Sequence, residues 1–412
     1  MIELGGTKRK KIRAAERLRE ILKQHYEELD EAANDTGRVA WCSSVGPMEV
    51  LVAFGFKVYF PENHSALIGA RKLADEYIPV ANAVGYSPEI CSYLTSDIGA
   101  FLSGETPLRD AYGVSSIPRP DVLAVNTNQC RDLYEWFSFF GRRFDAPVVS
   151  IHPPKYLDEV EEHHIDDVAK QYEEMIAQLE RITGEQLDED RLKEAVALSL
   201  EATELWKGFL DTAAHVPSPL TFFDGTIHMA PIVVMRGLQV AVDYYKELKA
   251  EMDERLENGV AAVDDERFRL YWEGMPVWGR LRKLSEQFIN LKACVVASTY
   301  CNSWIFDDMT PHDPIRSMAL AYTKVFVNRS EPAKERYILD MVKKFKVDGI
   351  IFHDARTCPA NSNASYGMPP RMMEDHGIPT LTLDGDLNDL RCWSDEQAAT
   401  NIEAFIEQLE ER

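Results

Sequence analysis

The spacing of apolar positions divides the chain into stretches of different character. Residues 8 to 34 carry helix formers, with Ile12, Leu18, Ile21, Leu22 and Leu29 near a helical period, and a stop follows at Asn34 to Gly37. Short apolar runs, Val39 to Trp41, Lys57 to Phe60, Val122 to Val125 and Pro147 to Ile151, read as strands. Helical stretches at Met48 to Phe54 and Leu133 to Phe140 lie between them. Strand–helix–strand alternation of this kind predicts a parallel sheet covered by helices. From about Leu157 to Leu256 strand runs disappear, and long charged helical stretches take over: Glu159 to Arg181, Asp188 to Leu210 and Pro231 to Leu256. Alternation then resumes, with strands at Ala293 to Thr299, Gly349 to His353 and Thr380 to Leu383 and helices at Glu331 to Lys344 and Gln397 to Glu410.

The expected architecture is α/β: two Rossmann-like parallel units, a helical N-terminal arm and a helical connecting region. The boundaries read as 1–36 for the arm, 37–156 for the first α/β unit, 157–265 for the connection and 266–412 for the second unit. A length of 412 residues suits two or three domains.

Charge narrows the partners. Forty-five Lys and Arg stand against 68 Asp and Glu, a formal charge of −23, which repels phosphate backbones and anionic lipid. Neither nucleic acid nor membrane is expected as a partner. The basic N-terminal stretch lacks the apolar core of a signal peptide, and no run of 18 apolar residues occurs, so a cytoplasmic chain is expected.

Seven cysteines mean little as a count but more by position. Cys42, Cys130, Cys301, Cys358 and Cys392 each follow a strand-like run, and Cys91 follows the turn Gly85-Tyr86-Ser87-Pro88 at a helix start. Ligands of open parallel sheets gather at the carboxyl ends of strands. Cys294, inside an apolar run, reads as a buried hydrophobe. Paired C-x-x-C knuckles, HExxH spacing, GxGxxG and GxxxxGK[ST] loops and the GxSxG elbow are all missing. Widely spaced thiols on loops from two sheets suit an iron–sulfur cluster between two units. For each cysteine alone, a buried free thiol is the competing account.

Several segments then fall into a known pattern. Tyr86-Ser87-Pro88-Glu89-Ile90-Cys91-Ser92-Tyr93 with Asp97-Ile98-Gly99, and Asn126-Thr127-Asn128-Gln129-Cys130 with Trp136-Phe137, resemble cluster-cysteine segments of the 2-hydroxyacyl-CoA dehydratase and benzoyl-CoA reductase superfamily. Asp348-Gly349-Ile350-Ile351 leading to Thr357-Cys358 resembles the third such segment. Asp384-Gly385-Asp386, Asp389-Leu390-Arg391 and Ile402-Glu403-Ala404-Phe405 are similar to its C-terminal signature, and Pro217-Ser218-Pro219 and Tyr271-Trp272-Glu273-Gly274 also match.

The resemblance implies one [4Fe–4S] cubane on Cys91, Cys130 and Cys358. Cys42, Cys301 and Cys392 are additions to that pattern, and six thiols bring the chain nearest to the double-cubane branch of the superfamily. A double-cubane [8Fe–9S] cluster on all six cysteines is therefore the expectation. With it come ATP-dependent, low-potential reduction of a small unsaturated substrate, an ATP-hydrolysing [4Fe–4S] reductase as electron donor, and a homodimer. The alternative is a subunit of a 2-hydroxyacyl-CoA dehydratase or benzoyl-CoA reductase with a single [4Fe–4S] cluster. An electron-transfer protein without its own substrate and a metal-free binding protein are further readings. His353, at the end of a strand feeding Cys358, is the preferred proton donor over His215, His228 and His312. Tyr300, Asn302, Ser43 and Ser44 flank two of the thiols as possible donors to sulfide.

Overall fold

A computed structural model describes residues 10–35 and 37–412 of the chain. Expectations for the first nine residues and Thr36, at the two ends of the arm, lie outside the described residues.

Among the described residues, eight strands form two four-stranded parallel sheets. The first contains β1 (Val39–Cys42), β2 (Lys57–Tyr59), β3 (Val122–Asn126) and β4 (Val148–Ile151) in the order β2-β1-β3-β4. The second contains β5 (Phe268–Glu273), β6 (Ala293–Ser298), β7 (Gly349–Ala355) and β8 (Thr380–Gly385) in the order β6-β5-β7-β8. The two orders are the same when each sheet is counted from its own first strand. In each, the chain runs outward from a central strand to one edge, then crosses back to the other side. That reversal lies between β1 and β3 in one sheet and between β5 and β7 in the other, and such a point opens a crevice for ligands. The α/β architecture expected from the alternation is thus present.

Helical expectations agree closely along the connection, where Glu162–Thr183 and Glu189–Asp211 span the predicted stretches. The third expected helix is split into Ala230–Val234 and Gln239–Glu257. Gly237, with φ of 80°, makes the break. The arm helix, Ala15–Asn34, buries Leu18, Ile21, Tyr26 and Leu29. Its entry is anchored by Glu251 of the Gln239–Glu257 helix, whose carboxylate accepts from the backbone N–H of Arg13 (2.8 Å) and of Ala14 (3.0 Å).

Two elements depart from expectation. β5 is a central strand that its sequence conceals, because Arg269 and Glu273 interrupt the apolar run. Arg269 is nonetheless buried, donating to the carbonyls of Phe345 (2.7 Å), Ala213 (2.5 Å) and His215 (3.1 Å). β1 runs one residue further than expected, so Cys42 is paired with Ala124 inside the sheet. Among the described residues, no helix is long and apolar enough to cross a membrane.

Candidate functional site

The carboxyl ends of the central strands meet a cavity of about 960 Å³. Cys91, Cys130 and Cys358 line it; Cys42, Cys301, Cys392 and His353 do not.

The three cavity cysteines share one local design. Each is the residue immediately before a helical turn: Cys91 before Ser92–Ser103, Cys130 before Arg131–Phe144, and Cys358 before the short turn Pro359–Asn361. The unsatisfied N–H groups of a first turn point toward such a residue and favour negative charge there. Cys130 Sγ accepts from the N–H of Leu133 at 3.4 Å, and Cys358 Sγ accepts from Asn361 Nδ2 at 3.8 Å. The Cys91 thiol is pushed well up by burial and then by Cys130 and Cys358, while the N–H groups of Leu94 and Tyr93 pull it back. Burial lifts Cys130 to about 11, opposed by the Leu133 N–H. Burial, followed by the charge of Cys130, lifts Cys358 to about 12. The three sulfurs therefore sense one another electrostatically. Cys91 is also tied to the Cys130 helix, since its N–H donates to Asp132 Oδ2 at 2.9 Å.

These residues fit an iron–sulfur cubane. The donors are thiols, the softest ligands a protein offers, and thiolates that repel one another in a buried site call for a cation between them. Among the described residues, no three His, Cys, Asp or Glu side chains converge on a single ion. A cubane seats each thiolate on a different iron and so suits sulfurs set farther apart.

The remaining candidates lie elsewhere. Cys42, on the opposite face of β1 from the equally buried Trp41, points into the apolar cluster shared with the helical connection, where burial raises its pKa despite nearby Arg236. Cys301 sits on the turn Thr299–Asn302, 3.8 Å from Thr226 Oγ1, and burial takes it to about 11. That turn gives Tyr300 to the cavity and points Cys301 away. Cys392 follows β8, an edge strand, and its neighbours are Asp389, Asp386 and the Arg356 guanidinium. Cys294 is wholly buried, as expected. His353 is wholly buried within β7. Its Nδ1 donates to Met275 O at 2.5 Å, and its Nε2 has no hydrogen-bond partner among the described residues. Of the other histidines, His228 lines the cavity and bonds Tyr244, whereas His215 and His312 are exposed.

Glu62, absent from the sequence-level candidates, also lines the cavity. It stands in the first turn of the helix Pro61–Ala70, directly after β2, and accepts from the Ser44 N–H at 2.5 Å. Burial raises its carboxyl pKa, partly offset by that N–H. Its charge is felt at Cys130, Tyr93 and Tyr300. Tyr93 accepts from Trp278 Nε1, and Trp278 meets Tyr300 edge-on at 6.0 Å between ring centroids. Ser44, Glu62, Tyr93 and Tyr300 thus form a polar group in the cavity that holds the three thiols.

Comparison with known proteins identifies the family. The profile of the family described as 2-hydroxyglutaryl-CoA dehydratase, D-component, matches residues 42–409. The chain belongs to this family. It is 29% identical over 398 residues to the (R)-2-hydroxyisocaproyl-CoA dehydratase alpha subunit of Clostridioides difficile, covering 96% of each chain. It is 31% identical over 404 residues to the (R)-phenyllactyl-CoA dehydratase alpha subunit of Clostridium sporogenes, covering 97% of this chain and 96% of that one. A benzoyl-CoA reductase chain of Thauera aromatica is 26% identical over 378 residues, covering 88% and 87%. The D-component family resemblance read from the cysteine segments is therefore shown, and these relatives are subunits of dehydratases and of a reductase.

Proposed function

We propose that the chain is the cluster-bearing subunit of a 2-hydroxyacyl-CoA dehydratase, with one [4Fe–4S] cluster on Cys91, Cys130 and Cys358. The observation that carries this reading is the convergence of those three thiols, each at the position just before a helical turn, and only those three of the seven, on one cavity. A single-cubane subunit needs no more. The double cubane expected from six thiols needs Cys42, Cys301 and Cys392 at the same site, and their surroundings are a sheet interior, a helical turn packed on Thr226 and an edge loop beside Arg356. The relatives are named as single subunits of their enzymes, which supports assembly with a second, different chain rather than a homodimer. An ATP-hydrolysing iron–sulfur activator remains part of the proposal as its electron source.

Dehydration of a 2-hydroxyacyl thioester removes hydroxide from the carbon beside the carbonyl and a proton from the next carbon, with no net change in oxidation level. When bound, the cluster supplies one-electron chemistry and an iron lacking a protein thiolate. The chain's own residues do the rest. Glu62, fixed by the Ser44 N–H and with its carboxyl pKa raised by burial, holds or releases a proton inside the cavity. Tyr93 and Tyr300 add hydroxyl groups beside it. Met275, Trp278 and Val325 give apolar wall for the acyl chain, and a volume near 960 Å³ is at the large end for small-ligand sites, as a thioester with its pantetheine arm requires.

Iron and sulfide analysis after anaerobic purification tests the reading: about four irons per chain are expected, whereas about eight would favour the double cubane. Replacing Cys91, Cys130 or Cys358 by Ser should remove most of the iron. The same change at Cys42, Cys301 or Cys392 should leave it intact, and halving it would restore the six-thiol arrangement.

A further inference from the structure

Cys91 and Cys358 come from different α/β units, so something must fix the distance between them. Neither thiol is on a strand; Cys358 lies in the loop after β7, before a three-residue turn, and the Ser362 hydroxyl ties that loop to itself through Cys358 O and Ala355. The residues adjoining the two cysteines, however, are locked to one another. Ser92 follows Cys91, and its N–H donates to Thr357 Oγ1 at 3.0 Å; Thr357 precedes Cys358. Both hydroxyls then converge on one carboxylate. Ser92 Oγ donates to Asp386 Oδ1 at 2.5 Å, and Thr357 Oγ1 donates to Asp386 Oδ2 at 2.6 Å. The Thr357 N–H donates to the same Oδ2 at 2.9 Å, and the N–H groups of Asn388 and Asp389 donate to Oδ1, each at 3.1 Å.

Asp386 therefore accepts five hydrogen bonds with no exposed surface. The donors are all neutral, so the carboxylate is stabilised by fixed dipoles rather than by a counter-ion. Its loop is bolted to the first unit a second time. Asn388, itself buried, donates to Ser65 O at 2.8 Å and to Ser96 Oγ at 3.1 Å. Ser65 and Ser96 belong to the helices Pro61–Ala70 and Ser92–Ser103, which carry Glu62 and follow Cys91.

We infer that Asp386 is a positioning residue for the bound cluster: a buried carboxylate clamp that closes the triangle Ser92–Thr357–Asp386 and thereby sets the spacing of Cys91 and Cys358 across the two sheets. The inference rests on the single-cubane reading above. Thr357 has the central part, because its hydroxyl accepts from the Cys91 side and donates to the carboxylate, so neither hydroxyl is left to bond sulfur. Outer hydrogen-bond partners of metal ligands govern how tightly the metal is held, and losing one costs roughly tenfold to a hundredfold in affinity.

The test compares Asp386→Asn and Thr357→Val with Thr357→Ser, each reconstituted anaerobically with iron and sulfide in the full chain. Three quantities are read: iron release to an Fe(II) chelator, the EPR spectrum of the reduced cluster, and the melting temperature of the iron-free chain. Asp386→Asn and Thr357→Val should release iron roughly tenfold to a hundredfold faster and alter the EPR line shape. Thr357→Ser, which keeps the hydroxyl, should behave like the natural chain, and the iron-free melting temperatures should stay close together. Wild-type release rates in both Asp386→Asn and Thr357→Val would overturn the clamp, as would fast release in Thr357→Ser. If Asp386→Asn does not fold, Thr357→Val against Thr357→Ser decides alone. A natural chain that takes up no iron would overturn the cluster reading itself, and the clamp with it.

Discussion

Glu62 combines the two properties asked of a general base or acid: a position inside the cavity and a carboxyl pKa raised by burial. Its Ser44 hydrogen bond fixes where the carboxylate points without neutralising it. Glu62→Gln keeps shape and removes the titration, so turnover should fall by about 10² to 10⁴ while iron content stays unchanged. The sign of the pH effect follows from the raised pKa. If the ionised form takes up the substrate proton, kcat declines as pH falls through that pKa, beginning at a higher pH than an ordinary carboxylate would give. A pH profile of kcat checks this, and the acidic limb should vanish in the Gln variant. At this scale the sequence was only partly legible. The three cavity thiols could be named from their segments, and Ser44 and Tyr300 from their cysteine neighbours. Glu62 could not, because no motif marks it; its one signal was a charged side chain directly past a strand, in Pro61-Glu62.

Position on an element decided which cysteines reach the site. Cys130 and Cys358 follow β3 and β7, the strands beyond the reversal in each sheet, and both line the cavity. Cys301 and Cys392 follow β6 and β8, which are edges; the turn after β6 presents Tyr300 to the cavity in place of Cys301, and Cys392 does not line it. A strand end is visible in a sequence, but strand order is not, and this explains why six cysteines looked equivalent. Cys42 illustrates a finer point, since one extra residue of pairing changed a loop thiol into a core side chain. β5 shows the opposite difficulty. Its end residue Glu273 is pushed up to about 7 by burial, against the pull of Asn363 and Lys334, and a charged letter in the sequence hid a buried strand. Just beyond it, Gly274 has φ of 98°, and a Cβ there would stand 2.6 Å from His353 O. Gly274→Ala should destabilise the chain by at least about 1–3 kcal/mol from backbone strain alone, more with the clash, as measured by urea unfolding.

Across the whole molecule, one ionic cluster joins the two α/β units through the helical connection. Glu49, behind β1, accepts from Ser199 Oγ and Tyr322 Oη, each at 2.7 Å. Arg236, also wholly buried, lies 3.4 Å from Glu49 and donates to Tyr322 Oη at 3.0 Å and to Gly46 O at 2.9 Å. Gly46 ends the loop that carries Ser44, so this cluster also supports the site. Removing one partner leaves an unpaired buried charge, and Arg236→Ala should cost about 3–5 kcal/mol in denaturant unfolding. The exposed pair Arg17–Glu20, by contrast, should contribute at most about 1 kcal/mol. The α/β class, the helical connection and the family were all readable from the chain. The cluster linking the units was not, because its members are separated by up to 273 positions in sequence.

The division of the three cavity thiols between the two α/β units has a consequence for how the protein reports on itself. Two ligands of the proposed cubane belong to one half of the chain and the third to the other, so an intact chromophore certifies that both halves are folded and docked. Loosening either half would bleach the protein before most of its helices melt. Visible absorbance is then a gauge of docking, while circular dichroism measures folding within each half. The difference between the two curves would measure how tightly the halves are coupled.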